Sequence, residues 1–391
     1  MKPTNPVFTG VKTTIFERMS RLALEHAAIN LGQGFPDVDG PQDIRQSAAD
    51  ALMAGPNQYP PMLGVPELRQ AVAAANKRFY GLEVDWQREV MVTSGATEAL
   101  ADAIFALIEP GDEVILIEPL YDCYLPLVQR AGGVPVRVRV TPPDWKLNVK
   151  ALEAAFTENT KAVLINNPMN PCAKVFTEAE LGDIARLCRT NDCYAICDEV
   201  YEHLTFEGHR HLPLMMFDGM RERCVRIGSA GKTFSLTGWK VGYITASPNL
   251  LEPIAKAHQF VTFTTPPNLQ KAVALGLAKE DSYYHGLAGD LRVKRDFLSN
   301  ELAQLGFAVL PCDGTYFVTV DVTPLGLNGT DEEICLRMVE EAGVAAVPLS
   351  AFYVSDAPTN CIRFCFCKKD SVLKEATDRL AAWLKGLGLS G

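Results

Sequence analysis

The 391-residue chain is 48% apolar and carries a formal net charge of −10, so it can bury a large core in what reads as two abutting domains. An acidic balance without long charge runs excludes a nucleic-acid or anionic-membrane surface and leaves small molecules as partners. The opening MKPTNPVFTGVK has no signal-peptide core and no apolar run spans a bilayer, so the expectation is a cytoplasmic globular protein.

From Glu89 onward, short β-rich apolar runs alternate with helical patterns, the signature of a mostly parallel sheet flanked by helices. The runs are EVMVT, EVILIEP, KAVLINNP, CYAICDEV, CVRIGSAG and VGYITAS. Leu100, Ile104, Leu107 and Ile108 mark one apolar helix face, and Thr177 with Glu180 forms a capping box that opens a helix reaching Asn191. Near Asp290 the pattern changes: a charged helix, LRVKRDFLSNELAQLG, leads into strand-like TYFVTVDV and CIRFCFC, predicting a second, α+β domain. A strand through CIRFCFC puts Cys361, Cys365 and Cys367 on one face; without a second ligand pair nearby they read as buried structural thiols, and the odd total of eleven cysteines fits free thiols. His203, His209 and His211 likewise lack metal-ligand spacing.

The tripeptide Gly231-Lys232-Thr233 invites a phosphate-loop reading, but that loop needs a glycine where Arg226 stands, and Gly228 comes two residues late. Ligands of open parallel sheets sit at the carboxyl ends of the strands, and the other polar candidates fall there. Thr93-Ser94-Gly95-Ala96-Thr97 joins a strand to a helix and offers free amides to an anion. Asn170 lies in NPMNP, Asp198 in CDEVYE, and Lys232 follows a third run. Singly each has an ordinary reading, as a turn residue, a helix cap or a solvated lysine; together they carry more weight.

With LGQGFPD, NQYPPMLGVPELR, SGATEAL, EPLYDCY, NNPMNPCAK, CDEVYE, SAGKTFSLTGWKVG and the arginine of CIRFCF, the sequence resembles the class I aminotransferases, pyridoxal 5′-phosphate enzymes of fold type I, over essentially its whole length. It is most similar to the methionine, kynurenine and glutamine branch through GQGFPD, DEVYEH and GKT-x5-WKVGY, with its nearest likeness to bacterial methionine aminotransferases. The resemblance implies an α/β fold in which a mostly parallel sheet sandwiched by helices forms a large cofactor domain, residues 46–290. A smaller α+β domain, residues 291–391, would stand beside it, with an N-terminal arm, residues 1–45, contributing to the small domain and the active site.

The resemblance also implies roles. Lys232 would anchor the cofactor covalently and carry the proton; desolvation and a neighbouring cation, with Lys240 as candidate, would free its lone pair. Asp198 would sit against the ring nitrogen, Tyr201 and Asn170 would bind the ring's 3′-oxygen, and Tyr121 would stack on the ring, with Tyr124 as a competitor whose ordinary reading is core. The phosphate would be held by amides of Gly95, Ala96 and Thr97, by Ser229, and by Lys240, where many aminotransferases carry arginine. Arg363, in isolation readable as half of a surface ion pair, would clamp the substrate carboxylate beside a backbone amide of Gly34. Tyr59 would reach the other subunit's phosphate, implying a homodimer.

Phe16, Phe35 and Phe263 are the side-chain pocket candidates, so methionine or another large neutral or aromatic amino acid is the expected donor and a 2-oxo acid the acceptor. Thr97 stands where some kynurenine enzymes have a tyrosine, which weighs against a kynurenine-specific enzyme. Two alternatives stay open: a kynurenine or glutamine aminotransferase with β-elimination from cysteine conjugates on the same Lys232 and Asp198, and a non-catalytic sensor, which would need a basic DNA-binding stretch that the sequence does not show.

Overall fold

In the computed structural model, which describes residues 2–10 and 13–389, seven segments pair into one sheet. They are β1 (Val90–Thr93), β2 (Glu113–Glu118), β3 (Val134–Arg139), β4 (Thr160–Asn166), β5 (Tyr194–Asp198), β6 (Cys224–Ser229) and β7 (Gly242–Ala246). Six correspond to the expected runs, and β3 is additional. The strand order is β1-β7-β6-β5-β4-β2-β3; β7 runs antiparallel to both neighbours and the other pairs are parallel.

Alternate residues of these strands enter different cores. Ile115, Val163 and Cys197 pack with Leu181 and Ile184 of α2 (Glu178–Thr190), while Leu116, Leu164 and Ile196 pack with Leu100 and Ile104 of α1 (Ala96–Leu107). Burial on both faces is why the strands read as continuous apolar runs; each large side chain so buried contributes about 1.5–3 kcal/mol. The capping box expected at Thr177 and Glu180 opens α2. Further cover comes from α3 (Pro248–Val261), whose Leu250, Leu251 and Ile254 join the core beneath α1. Among the described residues no helix is long and apolar enough to cross a membrane.

A smaller antiparallel sheet follows, built from β8 (Ala308–Val309), β9 (Phe317–Asp321), β10 (Val347–Pro348) and β11 (Cys361–Cys365) in the order β10-β11-β9-β8. The N-terminal segment packs with it: Ile29–Asn30 pairs with Val344–Ala345, and Met19, Ala23 and Leu31 share a core with Val318, Phe364 and Leu380. The helix α4 runs unbroken from Asp281 to Gln304, so the change of pattern near Asp290 falls inside a continuous helix; we propose that the two domains meet along it rather than at a linker. All eleven cysteines are free. Cys361 packs in a different core from Cys365 and Cys367, and β11 ends at Cys365.

Because β3 lies outside β2 while β4 lies on its other side, the chain reverses direction across the sheet between β2 and β4, which opens a crevice at their carboxyl ends.

Candidate active site

A cavity of about 380 Å³ opens where β2, β4, β5 and β6 end against the smaller sheet. It gathers Phe16, Gly34, Phe35, Gly95, Ala96, Thr97, Tyr121, Asn170, Asp198, Tyr201, Ser229, Lys232, Lys240 and Arg363. Two expected residues stay outside it: Tyr59 and Phe263 pack edge to face with ring centroids 5.4 Å apart, and Tyr59 is 84% exposed.

One end of the cavity is an anion cradle. Gly95 precedes α1 with no side-chain cap, so the first-turn amides have no intrahelical partner. A Cβ on Gly242 would lie 2.7 Å from the Gly95 carbonyl carbon, so only glycine lets β7 press against this turn. Lys240, held in the left-handed region at φ 53° and ψ 43°, stands over Gly95, where a Cβ would lie 3.4 Å from its Nζ. Behind the cradle, the Glu98 carboxylate takes the Ser94 amide and lies 2.6 Å from His258 Nδ1, with Asp102 3.5 Å away. Burial opposes charge on His258, but Asp102 and Glu98 raise its pKa to about 9. This acidic pair therefore has a cation of its own and does not set its full charge against an anion at the helix terminus. No spacing rule exposes the trio, since His258 stands 160 residues from Glu98.

At the other end, Asp198 closes β5 in a buried position. Burial pushes its carboxyl up to about 6, although the Tyr124 O–H donates to Oδ2 at 2.5 Å and the Val200 amide and Lys232 charge act in the opposite sense. Such a carboxyl ionises readily only with a cation against it, which is what a pyridinium nitrogen provides. Asn166, at the end of β4, donates to the Asp198 backbone carbonyl at 2.9 Å and accepts the Asn170 amide at 2.7 Å, tying two strand ends together. Tyr124 is thus more than core. Its replacement by phenylalanine removes a hydrogen bond to a charged group, worth about 1.5–3 kcal/mol, and raises Asp198 further. The acid limb of cofactor binding is then expected at higher pH, with binding about tenfold weaker near neutrality. A spectrophotometric titration of the apoenzyme with cofactor at several pH values checks this, and an unmoved acid limb rejects the link.

Between the two ends lies Lys232, on the short helix Ala230–Thr233 that follows β6. Its Nζ donates to the Tyr316 hydroxyl at 3.0 Å, which donates to the Gly34 carbonyl at 2.7 Å; Tyr316 had no signal in the sequence. Burial lowers the Lys232 pKa against the pull of Asp198, and the neighbouring charge of Arg363 lowers it too. Gly231 serves packing, since a Cβ there would lie 3.0 Å from Thr237 Cα, and a Cβ on Gly34 would lie 2.5 Å from Phe317 Cζ. Tyr201 is fully enclosed and burial pushes its phenol upward, so it stays a hydrogen donor at neutral pH.

Arg363 is no surface ion pair. It is 1% exposed, donating from Nη1 to Asn170 Oδ1 at 2.7 Å and from Nη2 to the Gly32 carbonyl at 2.6 Å, while Nε has no partner. Its guanidinium lies 3.9 Å from the Phe317 ring centroid and close to Phe16 and Phe352. Burial lowers its pKa to about 10, so it remains a cation at neutral pH. An anion cradle, a buried carboxyl, a lysine amine between them and a phenol beside it match the phosphate, ring nitrogen, aldehyde and 3′-oxygen of pyridoxal 5′-phosphate. The residues fit the expected cofactor.

Comparison with known proteins points the same way. The family described as aminotransferase class I and II matches residues 27–380. A Mycobacterium tuberculosis protein named "Probable N-succinyldiaminopimelate aminotransferase DapC" is 44% identical over 94% of this chain and 96% of its own length. The Escherichia coli methionine aminotransferase is 42% identical over 94% and 95%. Among solved structures, the M. tuberculosis N-succinyldiaminopimelate aminotransferase superposes with a TM-score of 0.95 at 44% identity, covering 97% of this chain and 100% of the other. The E. coli protein in which a methionine aminotransferase function was identified gives 0.94 at 41%, covering 97% and 99%. This chain is therefore a pyridoxal 5′-phosphate-dependent enzyme of fold type I and belongs to the class I and II aminotransferases.

Proposed function

We propose that this aminotransferase moves the amino group of methionine and other large neutral or aromatic amino acids to a 2-oxo acid. The supporting observation is the disposition of cations in the cavity. Lys240 stands at the anion cradle, Lys232 is the half-buried amine and Arg363 is the guanidinium without a carboxylate partner, so among the described lining residues no lysine or arginine is left for a second substrate carboxylate. The walls near Arg363 are Phe16 and Phe317, with Phe35 at the mouth, and a thioether makes favourable contacts with such rings. The 42% identity to a methionine aminotransferase agrees with this choice. Apolar walls discriminate by only about 1–3 kcal/mol per methylene, so overlapping specificity is expected.

Bound pyridoxal 5′-phosphate supplies a sink for the electron pair left when the α-proton departs. Asp198 would keep its ring nitrogen protonated, Tyr201 and Asn170 would donate to its 3′-oxygen, and Tyr121 would cover its face. Ser229, Lys240 and the amides of Gly95, Ala96 and Thr97 would hold its phosphate. Arg363 would fix the substrate carboxylate beside Gly34, and Lys232 Nζ would take the proton from the substrate Cα and deliver it to C4′ of the cofactor.

A second reading, transfer from an N-succinylated diamino acid, is favoured by the 44% identity to the M. tuberculosis protein and by a second space. It has a volume of about 830 Å³, shares Thr14, Phe16, Tyr121 and Asp122 with the first, and is bordered by Arg18. Arg18 is already paired with Glu332, which places the neutral reading first. Single-turnover mixing with each amino acid, following the absorbance of the bound cofactor, separates the readings. Methionine is expected to react faster than aspartate or alanine; the reverse order removes the neutral reading, and a faster N-succinylated diamino acid installs the second. Pyruvate and ammonia from a cysteine conjugate, without a 2-oxo acid, would mark β-elimination.

We further infer a homodimer. Tyr59 and Phe263 lie outside the cavity against each other, Met53 and Phe260 are also exposed, and His258 bonds the Met62 carbonyl at 3.1 Å to join the two segments. A partner chain would cover these side chains and receive Tyr59; sedimentation as a monomer at working concentration would remove this reading.

A further inference from the structure

Behind the cavity wall lies a pair of thiols that the transfer reaction does not use. Cys365 closes β11 and Cys367 follows just beyond it, with their sulfurs 3.2 Å apart and both side chains buried. A disulfide needs about 2.05 Å, so little more than 1 Å of approach separates the two states. The same stretch suspends the segment that roofs the cavity. The Cys365 amide donates to the Leu31 carbonyl at 2.8 Å, the Asp37 amide donates to the Cys367 carbonyl at 3.4 Å, and Lys368 Nζ donates to the Phe35 carbonyl at 2.9 Å. Two residues upstream, Arg363 holds the Gly32 carbonyl, and the Phe366 amide holds the backbone of Tyr316, the partner of Lys232.

We infer that Cys365 and Cys367 form a redox-sensitive dithiol whose oxidation loosens the grip of the cavity on the substrate carboxylate. The oxidant is a peroxide. The thiolate of one cysteine attacks a peroxide oxygen and is oxidised to a sulfenic acid as the O–O bond breaks and water leaves; the second thiol attacks that sulfur and expels the other oxygen as water. Two thiols and one hydrogen peroxide thus become one disulfide and two waters. Burial opposes ionisation of Cys365, but the hydrogen bond with Cys367 and the charges of Lys368 and Arg363 hold its thiol below the ordinary value, which favours the attacking thiolate. Cys367 keeps a 5% edge toward solvent. Closing the bond draws the Cys367 carbonyl and the Cys365 amide together, and with them the two ends of the Leu31–Asp37 segment.

The effect on substrate rests on the carboxylate role proposed for Arg363, so the experiment reads the bond and the kinetics separately. Holoenzyme is treated with hydrogen peroxide, digested and mapped, and the kinetics are measured before and after dithiothreitol. The expected result is a linkage joining Cys365 to Cys367, a rise of about tenfold in KM for the amino acid with the cofactor absorbance intact, and reversal by dithiothreitol; Cys367→Ala keeps its activity and resists peroxide. Activity loss without that linkage, or with a Cys197–Cys224 linkage in its place, overturns the site. The linkage with KM unchanged, or equal sensitivity of Cys367→Ala, overturns the coupling, and neither outcome removes Arg363 from its own role.

Discussion

Replacing Lys232 with alanine is expected to lower transamination by about 10⁴-fold or more, because the change removes both the group that bonds the cofactor and the group that moves the proton. The geometry makes this the largest single effect in the molecule. Lys232 is half-buried in the cavity lining, burial lowers its pKa, and its Nζ is held by a hydrogen bond to Tyr316. No other lining amine can substitute, since Lys240 is committed beside Gly95. The cradle of Ser229, Lys240 and the α1 terminus remains in the variant, so the cofactor is still expected to bind, without a covalent bond. Borohydride reduction followed by peptide mapping checks this: the wild-type enzyme carries the cofactor on the peptide containing Lys232, and the variant carries none. Turnover within tenfold of wild type would remove Lys232 from both roles.

What the sequence disclosed follows a physical pattern. Asp198, Asn170, Lys232 and Arg363 were legible because they stand in motifs that resemble the aminotransferases and because three of them follow apolar runs whose ends face one crevice. Tyr124, at the start of the helix Tyr124–Arg130, was not, because its meaning depends on Asp198, 74 residues later at the end of β5. Tyr316 gained its role in the same way from Lys232, 84 residues earlier. The strand β3 escaped notice because it is an edge strand: Val134 is exposed, Pro135 interrupts the run, and Arg137 and Arg139 turn toward Glu118 of β2. An edge strand left open to solvent loses the two-sided burial that makes the other strands, the covered edge strand β1 included, continuous apolar runs. The long helix α4 hid its first turns because only Tyr284, Leu291, Leu298 and Leu302 are buried along its 24 residues, leaving too sparse a stripe to mark its start. Tyr59 shows a different limit, since one chain places it at a surface and its expected role requires a second, whereas Phe263, expected in the side-chain pocket, packs against Tyr59 outside the cavity.

Arg363 gives the other large effect, and it separates function from stability by sign. A guanidinium that is buried, stacked on Phe317 and without a carboxylate partner among the described residues opposes folding. Its pKa falls from 12.5 to about 10, so the proton is held less tightly in the folded chain than in the unfolded one. Below about pH 10 this opposes the native state by about 3 kcal/mol. Arg363→Leu should therefore leave the melting temperature unchanged or raise it, as expected when a buried uncompensated charge is removed. The same variant should lose about 3–5 kcal/mol of binding to the substrate carboxylate, or about 10²–10⁴-fold in kcat/KM, mainly through KM. Arg363→Lys keeps a charge without the planar fork and should fall between the two enzymes. Differential scanning calorimetry beside steady-state kinetics with methionine reads both quantities. A variant that melts several degrees lower would make Arg363 a structural residue, whereas one that melts as high or higher while losing the amino acid marks a cation kept unpaired for the substrate.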